Sequence, residues 1–198
     1  MEFLSALFTA AFDSNIVFAQ LVGMVAVLLA AYRPQDAVRF GALLWAAVSV
    51  AGLIGWPVYA GFFAPWGVGY LAPVAYAAVS SIVIFVAGAV ACSGKDAAER
   101  ERILVLCTLL AMNAAVLGVP LGNAAAAETA TLASAVGTSV GAGLGAFIAV
   151  VLFATVRQRI DERLVPPALR GLPISLVTAS LMCMAFTCVA GIAGGLFA

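Results

Sequence analysis

Residues 103–120 read ILVLCTLLAMNAAVLGVP, an apolar stretch long enough to cross a lipid bilayer. The stretch contains a polar break at Met112-Asn113, and Gly118 follows shortly after it. An amide in hydrocarbon needs a partner, and it can satisfy the backbone groups that a helix break leaves free. The stretch therefore predicts a membrane-spanning helix that is interrupted near its middle.

The rest of the chain has the same apolar character. Its 198 residues are 65% hydrophobic and 9% charged, with a mean hydropathy of +1.18. Soluble domains of this length use many more charged residues to cover their core. The sequence predicts an all-α integral membrane protein, a single membrane domain over residues 1–198 with about six spans. Besides 103–120, the predicted spans are residues 15–31, 37–60, 74–92, 132–156 and 172–196, the second broken by Gly52, Gly55 and Pro57.

The charged residues predict the orientation of these spans. Every Lys and Arg falls on one side of the membrane, whereas Glu2, Asp13 and Glu128 lie towards the other. The basic residues are Arg33, Arg39, Lys95, Arg100, Arg102, Arg157, Arg159, Arg163 and Arg170. The positive-inside rule makes the basic side cytoplasmic. We therefore expect a multi-pass protein of a bacterial or archaeal cytoplasmic (inner) membrane, with both termini outside.

A second polar break lies at Ser14-Asn15, and Gly23 follows it. Three spans separate Asn15 from Asn113, so the two halves, residues 1–94 and 95–198, enter the membrane from opposite sides. Paired interrupted helices that meet near the midplane are typical of such inverted repeats. The pattern makes Asn15 and Asn113 candidates for a midplane site. The alternative is that each Asn makes only an interhelical hydrogen bond worth ~1 kcal/mol.

Asp13 has two interpretations. Residues 3–12 fit an apolar half-helix before the first break, and Asp13 would then lie inside the membrane, where acids are rare and usually functional. If this segment lies on the membrane surface instead, Asp13 is a solvated helix cap. With the first interpretation Asp13 joins the candidates for the midplane site.

The remaining motifs favour packing over chemistry. Gly137, Gly141, Gly143 and Gly145 in SAVGTSVGAGLGAF leave one helical face bare, which favours close helix packing over a pore or ligand wall. The four cysteines are spread over depths at which they cannot surround one ion, and there is no histidine, so no metal site is expected. No nucleophile–base pair, phosphate loop or nucleic-acid surface is present. We expect lipid around the chain and no catalysis by the chain alone.

Two stretches carry a family resemblance. They are MNAAVLGVPLGN at residues 112–123 and VVLFATVRQRIDERLVPPALRGLPISLVTASLMCMAF at residues 150–186, in which VPPALRG followed by LVTASLM is specific. The chain resembles Rnf A, a membrane protein of Rnf complexes, and its counterpart Nqr E of the sodium-translocating NADH:quinone oxidoreductase (Nqr). The similarity runs from Asn15 to the end and is strongest beyond Ile103.

The resemblance implies a mechanism. In this family two homologous subunits pack face to face, and their interrupted first and fourth helices hold a 2Fe–2S cluster near the midplane. The cluster passes electrons between carriers on opposite faces, and that transfer is coupled to sodium or proton movement. The implied partners are a twin subunit inserted the other way round, similar to Rnf E or Nqr D, together with flavin and iron–sulfur subunits.

The sequence departs from the family at the cluster ligands. Family subunits carry one Cys directly after Gly-Leu or Gly-Met in the first span and another directly after the Asn of the fourth. Here Gly23-Met24 is followed by Val25, and Asn113 is followed by Ala114. Valine and alanine cannot ligate iron, so no cofactor is expected from this chain.

Three functions remain open at this point. The first is a membrane subunit of an Rnf/Nqr-type electron-transport complex that couples redox chemistry to ion translocation, paired with its twin and at most a non-catalytic subunit of the translocase. The second is a cofactor-free inverted-repeat transporter or channel for an ion or small solute, with Asn15, Asn113 and Asp13 at its site. The third is a structural or assembly partner without transport of its own.

Overall fold

The protein is all-α, as predicted, in a computed structural model that describes residues 2–30, 34–127, 130–189 and 195. Helix α1 continues into a π-helical turn at Thr9–Asp13, and α3 continues into another at Tyr59–Phe63. No strand occurs in the described ranges. The helices are α1 (Glu2–Phe8), α2 (Met24–Ala30), α3 (Pro34–Val58), α4 (Ala72–Ala91), α5 (Ala97–Ala111), α6 (Ala114–Ala125), α7 (Leu132–Gln158) and α8 (Leu172–Val189).

Four segments of the described chain are long and apolar enough to cross a membrane, namely Gln35–Phe63, Gly69–Ala91, Leu132–Gln158 and Leu172–Val189. Helices α5 and α6 make a fifth if they count as one span, because they are joined at the short break around Asn113 and bend there by 41°. The interruption that residues 103–120 predict is therefore present. The described part of the predicted sixth span ends with α8 at Val189.

The interruption predicted in the first span is present, but it is longer than the polar break at Ser14-Asn15 indicates. Residues 14–23 are not helical, and α2 begins only at Met24. Within this segment Leu21 has a φ of 56° and Gly23 a φ of 76°. These left-handed conformations cannot continue a right-handed helix, so the chain crosses this region as two half-helices separated by a long break.

The predicted break in the second span is wrong. Helix α3 runs without interruption through Gly52, Gly55 and Pro57. The two glycines serve close packing: a Cβ at Gly52 would collide with Ser139 of α7, and a Cβ at Gly55 would lie 3.2 Å from a ring carbon of Tyr76 in α4. Small residues at such positions let neighbouring helices approach in a membrane protein.

The glycine row of α7 is confirmed as a packing face. A Cβ at Gly137 would lie 2.5 Å from the carbonyl oxygen of Phe3, and one at Gly141 would lie 2.8 Å from Cα of Leu7. Gly145 meets Ala11 in the same way, with Cα at 2.8 Å. Both partners advance by four residues per contact, so the N-terminal half-helix runs parallel to α7 along the row. One face of this segment is therefore held against α7, although α1 itself contains no buried residue.

The two ends of the bundle differ in charge. Arg39, at the start of α3, pairs with Glu99 at the start of α5, and Lys95 lies 3.5 Å from the same carboxylate. Arg157, at the end of α7, pairs with Glu162. The hydrogen bond from Thr131 to Glu2, 2.8 Å long, lies at the opposite end of α7. Arg33 and Glu128, which also entered the orientation argument, lie outside the described residues.

Candidate functional site at the paired helix breaks

Asn15 joins the two sides of the first break. Its side chain is fully buried, and its Nδ2 donates to the carbonyl oxygen of Ala11 at 2.8 Å. Its Oδ1 accepts from the backbone N–H groups of Val17 and Phe18 at 3.0 and 3.1 Å. These backbone groups have no helical partner at the break, so the amide replaces the bonds that the interrupted helix has lost.

Asn113 caps the helix after the second break. Its Oδ1 accepts from the backbone N–H of Ala115 at 2.9 Å, which is the geometry of an N-cap residue. Its Nδ2 is buried and has no hydrogen-bond partner among the described residues. The side chain lies against Gly23: a Cβ at Gly23 would collide with Oδ1 of Asn113 and lie 2.9 Å from its Cγ.

The fold brings the two breaks into contact. Because Gly23 belongs to the first break and Asn113 to the second, their approach joins positions that lie far apart in the sequence. Sequence reasoning singled out both residues and expected the interrupted helices to meet near the midplane, but it did not identify the particular contact between Gly23 and Asn113. It also missed Leu21, whose positive φ has no sequence signal because leucine rarely adopts it.

Asp13 ends the N-terminal half-helix. The residue is partly buried, and its Oδ1 is buried without a hydrogen-bond partner among the described residues. The half-helix packs along α7, and Asp13 lies at its end, directly before the break. Its place inside the membrane stays a prediction. Acidic residues within membrane-spanning segments are rare and often functional.

A concavity of about 380 Å³ opens beside the contact between the breaks. It contains both positions at which the family resemblance places cysteines, Val25 and Ala114, together with Gly23 and Asn113. Its rim is apolar and exposed: Val25 is 72% accessible and Met112 is 85% accessible. A thiolate at either position would therefore project into one shared space at the surface of this subunit.

The residues present do not fit an iron–sulfur cluster. Such clusters are held by thiolates or, in some types, imidazoles, and this concavity offers a valine and an alanine in their place. No group of three or more His, Cys, Asp or Glu residues that could hold a metal occurs among the described residues. Cys107 instead packs closely, since its sulfur would lie 2.5 Å from a Cβ at Gly88.

Fold and site together define a class of protein. The chain is a multi-pass α-helical membrane protein in which two interrupted helices from distant parts of the sequence meet at one exposed concavity. Residues 3–193 match the family described as "Rnf-Nqr subunit, membrane protein". The chain belongs to this family.

Three curated relatives cover almost the whole chain. A subunit of the Na(+)-translocating ferredoxin:NAD(+) oxidoreductase complex of Acetobacterium woodii is 29% identical over 94% of this chain and 95% of its own length. A subunit of the ion-translocating oxidoreductase complex of Azoarcus sp. is 30% identical over 96% of this chain and 97% of that protein. The subunit of the same name from Erwinia tasmaniensis is 31% identical over 90% of this chain and 91% of that protein.

Proposed function

We propose that this chain is a membrane subunit of an Rnf/Nqr-type electron-transport complex that couples redox chemistry to ion translocation. Membership of the Rnf-Nqr family over residues 3–193 supports the proposal, and so do relatives whose names describe subunits of ion-translocating oxidoreductase complexes. The observation that carries it is the concavity shared by Val25 and Ala114. Its geometry suits a site completed by a second subunit, because the apolar rim of the concavity is exposed and no other part of the described chain covers it.

The proposed partner is a homologous twin subunit inserted in the opposite orientation. Leu21, Val25 and Met112 form an exposed apolar surface beside the breaks, and a twin with the same fold would offer a similar surface in return. Flavin and iron–sulfur subunits would supply the electron carriers that this chain lacks. The proposed orientation in the inner membrane has the basic loops in the cytoplasm and both termini outside.

The proposed architecture is an inverted repeat of three spans. Residues 2–30 would form the first span from α1 and α2, and α5 with α6 would form the fourth. The two breaks then occupy equivalent places in residues 1–94 and 95–198. Their contact through Gly23 and Asn113 supports this arrangement, since repeat-related broken helices meet near the midplane in other transporters.

A second candidate function follows from the replaced ligands. A scaffold without cluster thiolates can still transport an ion or small solute, with Asp13, Asn15 and Asn113 at its midplane site. The unpartnered Oδ1 of Asp13 and Nδ2 of Asn113 favour this candidate. If the chain is such a transporter, Asp13→Asn would lower transport without unfolding the protein, because the substitution removes the charge of the side chain and keeps its shape.

Mild detergent purification of the tagged chain from its native membrane separates the two functions. Mass spectrometry identifies the partners, and visible and electron paramagnetic resonance spectra detect flavin and iron–sulfur centres. Flavin and iron–sulfur subunits that copurify support the redox complex. A colourless preparation that contains only this chain and its twin refutes that complex and leaves the transporter.

Restoring the cysteines tests the geometry of the proposed site. The double variant Val25→Cys/Ala114→Cys, with the four native cysteines replaced, places both thiols in one concavity. We expect a short bifunctional thiol reagent to join them within the chain. The control pair Val25→Cys/Val90→Cys has its second thiol at the exposed end of α4 and should stay unlinked. Equal linking of the two pairs would contradict the proposed site.

A further inference from the structure

A second cavity system opens at the end of the molecule that carries Glu2 and Thr131. Its outer part has a volume of about 440 Å³, and its inner part, about 310 Å³, reaches inward as far as Gln20 and Asn123. The two parts adjoin, because they share a set of lining residues. These are Ala10, Ser14, Ala130, Ser134 and Thr138.

The lining of this space mixes polar side chains with small apolar ones, although it lies within apolar helices. Ser134 and Thr138 are four residues apart on α7 and so lie on one face of that helix. The neighbouring face carries Gly137 and Gly141, which hold the N-terminal half-helix. The sequence SAVGTSVG thus contains two adjacent rows, glycines for packing and hydroxyls for the cavity.

The inner end offers amide oxygens. Asn123 uses its Nδ2 inside the protein, donating to the carbonyl oxygen of Ala135 at 3.1 Å and to Oγ of Ser139 at 2.8 Å. Gln20 likewise donates from Nε2 to the carbonyl oxygen of Ser14 at 3.1 Å. With both N–H groups of its Nδ2 engaged, Asn123 can present only its oxygen to an occupant, whereas Gln20 can present its oxygen and one remaining N–H.

The charge of the lining favours cations. Glu2 stands at the mouth, and neither Lys nor Arg lines either part among the described residues. Carboxylate, hydroxyl and carbonyl oxygens are the groups with which channels replace the hydration shell of a cation. The inner part alone has room for roughly ten waters at about 30 Å³ each.

The space ends at the first helix break. Ile16 lines its inner end, and Gly118 on α6 has Ile16 and Val22 as its nearest neighbours, at 3.7 and 4.0 Å from a Cβ position. Leu21 and Gly23 of the same non-helical segment line the concavity described above. The segment at residues 14–23 therefore separates a polar cavity from an apolar one.

We propose that the polar cavity is a water-filled outer half-channel that brings a small monovalent cation to the break at residues 14–23. The identity of the occupant rests on the proposed ion translocation, whereas the presence of water in the cavity does not. The break is the gate, because Ile16 of this segment lines the inner end of the half-channel.

Thiol labelling in native membrane vesicles tests the half-channel. The variants Thr138→Cys and Ser134→Cys are made after replacement of Cys92, Cys107, Cys183 and Cys188, and a membrane-impermeant cationic thiosulfonate is added to right-side-out vesicles. The control is Ala78→Cys, on the exposed face of α4 at a comparable depth, two residues beyond Tyr76. We expect cavity thiols to react at least ~10-fold faster than the control thiol, because the reactive thiolate forms in water and not in hydrocarbon.

Labelling of both cavity variants at the control rate, or labelling only from inside-out vesicles, would overturn the half-channel. Two variants guard against a local folding defect, and unchanged expression with an unchanged elution profile in detergent verifies each one. If no redox partner copurifies but the cavity thiols still react rapidly, the proposed redox function fails and the half-channel remains.

The cation is tested by competition and by charge. Replacing choline with Na⁺ at constant ionic strength should slow labelling of Thr138→Cys several-fold and leave Ala78→Cys unchanged. Labelling by the cationic reagent should exceed that by an anionic analogue, and Glu2→Gln should reduce this preference. Equal rates in Na⁺ and choline together with no preference for the cationic reagent would overturn the assignment to a cation.

Discussion

Each of the two helix breaks contains an asparagine, but the two asparagine side chains have different roles. The first break is long, spanning residues 14–23, and Asn15 is buried within it with both its donor and its acceptor engaged. The second break is short, and Asn113 there makes one cap bond and keeps an unpartnered Nδ2. A matched sequence motif can thus split its roles: one copy maintains the scaffold, and the other retains a polar atom beside the exposed concavity.

The largest effect is expected at Gly23, where the breaks meet. In Gly23→Ala the new Cβ collides with Asn113 and the residue keeps a φ of 76°. The left-handed conformation costs an L-residue about 1–2 kcal/mol, and overpacking typically costs about 1–3 kcal/mol more. Thermal unfolding in detergent should show a large loss of stability.

Gly118→Ala is the matched control for Gly23→Ala. It lies inside α6, and its nearest neighbour to a Cβ position is Ile16 at an ordinary contact distance of 3.7 Å. We expect it to be neutral or to stabilise by up to ~1 kcal/mol, because alanine is the better helix former. Similar losses of stability in the two variants would show that the breaks do not touch as described.

The second largest effect is expected for Asn15→Ala. The substitution leaves the N–H groups of Val17 and Phe18 and the carbonyl of Ala11 without the amide, all in a buried site. A buried polar group left unsatisfied costs about 1–3 kcal/mol, so we expect a loss of at least ~2 kcal/mol. Asn15→Asp keeps the acceptor but loses the donor to Ala11, and it should rescue only part of the stability. Full stability of Asn15→Ala would contradict the scaffold role of Asn15.

The breaks at Asn15 and Asn113 could be predicted from the sequence, but their lengths could not, and the break expected within α3 is absent. Asn113 interrupts an otherwise continuous apolar run, so the position of the second break is encoded locally. The first break was predicted at Ser14-Asn15 but not its length, because Ile16, Val17 and Phe18 read as apolar span residues. In the structure they are buried without being helical, since Asn15 satisfies their backbone groups.

The candidate site could be predicted only in part for the same reason. Val25 and Ala114 were identified one by one, from their places after Gly23-Met24 and Asn113. Their shared concavity depends on the tertiary contact between the breaks, and no local sequence pattern predicts that contact. The polar cavity was missed because Ser134 and Thr138 are scattered between glycines whose spacing already indicates packing.

The smallest effect on stability is expected for Asn113→Ser, which also tests the difference between the two breaks most directly. Serine keeps an oxygen that can cap α6 and removes the unpartnered Nδ2, so the isolated chain should stay within about 0.5 kcal/mol of its original stability. Asn113→Ala also removes the cap and should cost about 1 kcal/mol. A loss in the isolated chain as large as that of Asn15→Ala would refute the difference between the breaks. The assembled complex is tested by whether the twin subunit is lost during purification. If Asn113→Ser weakens only this complex, Nδ2 of Asn113 has its hydrogen-bond partner in the twin subunit. That result is the one expected for an exposed site that a second subunit completes.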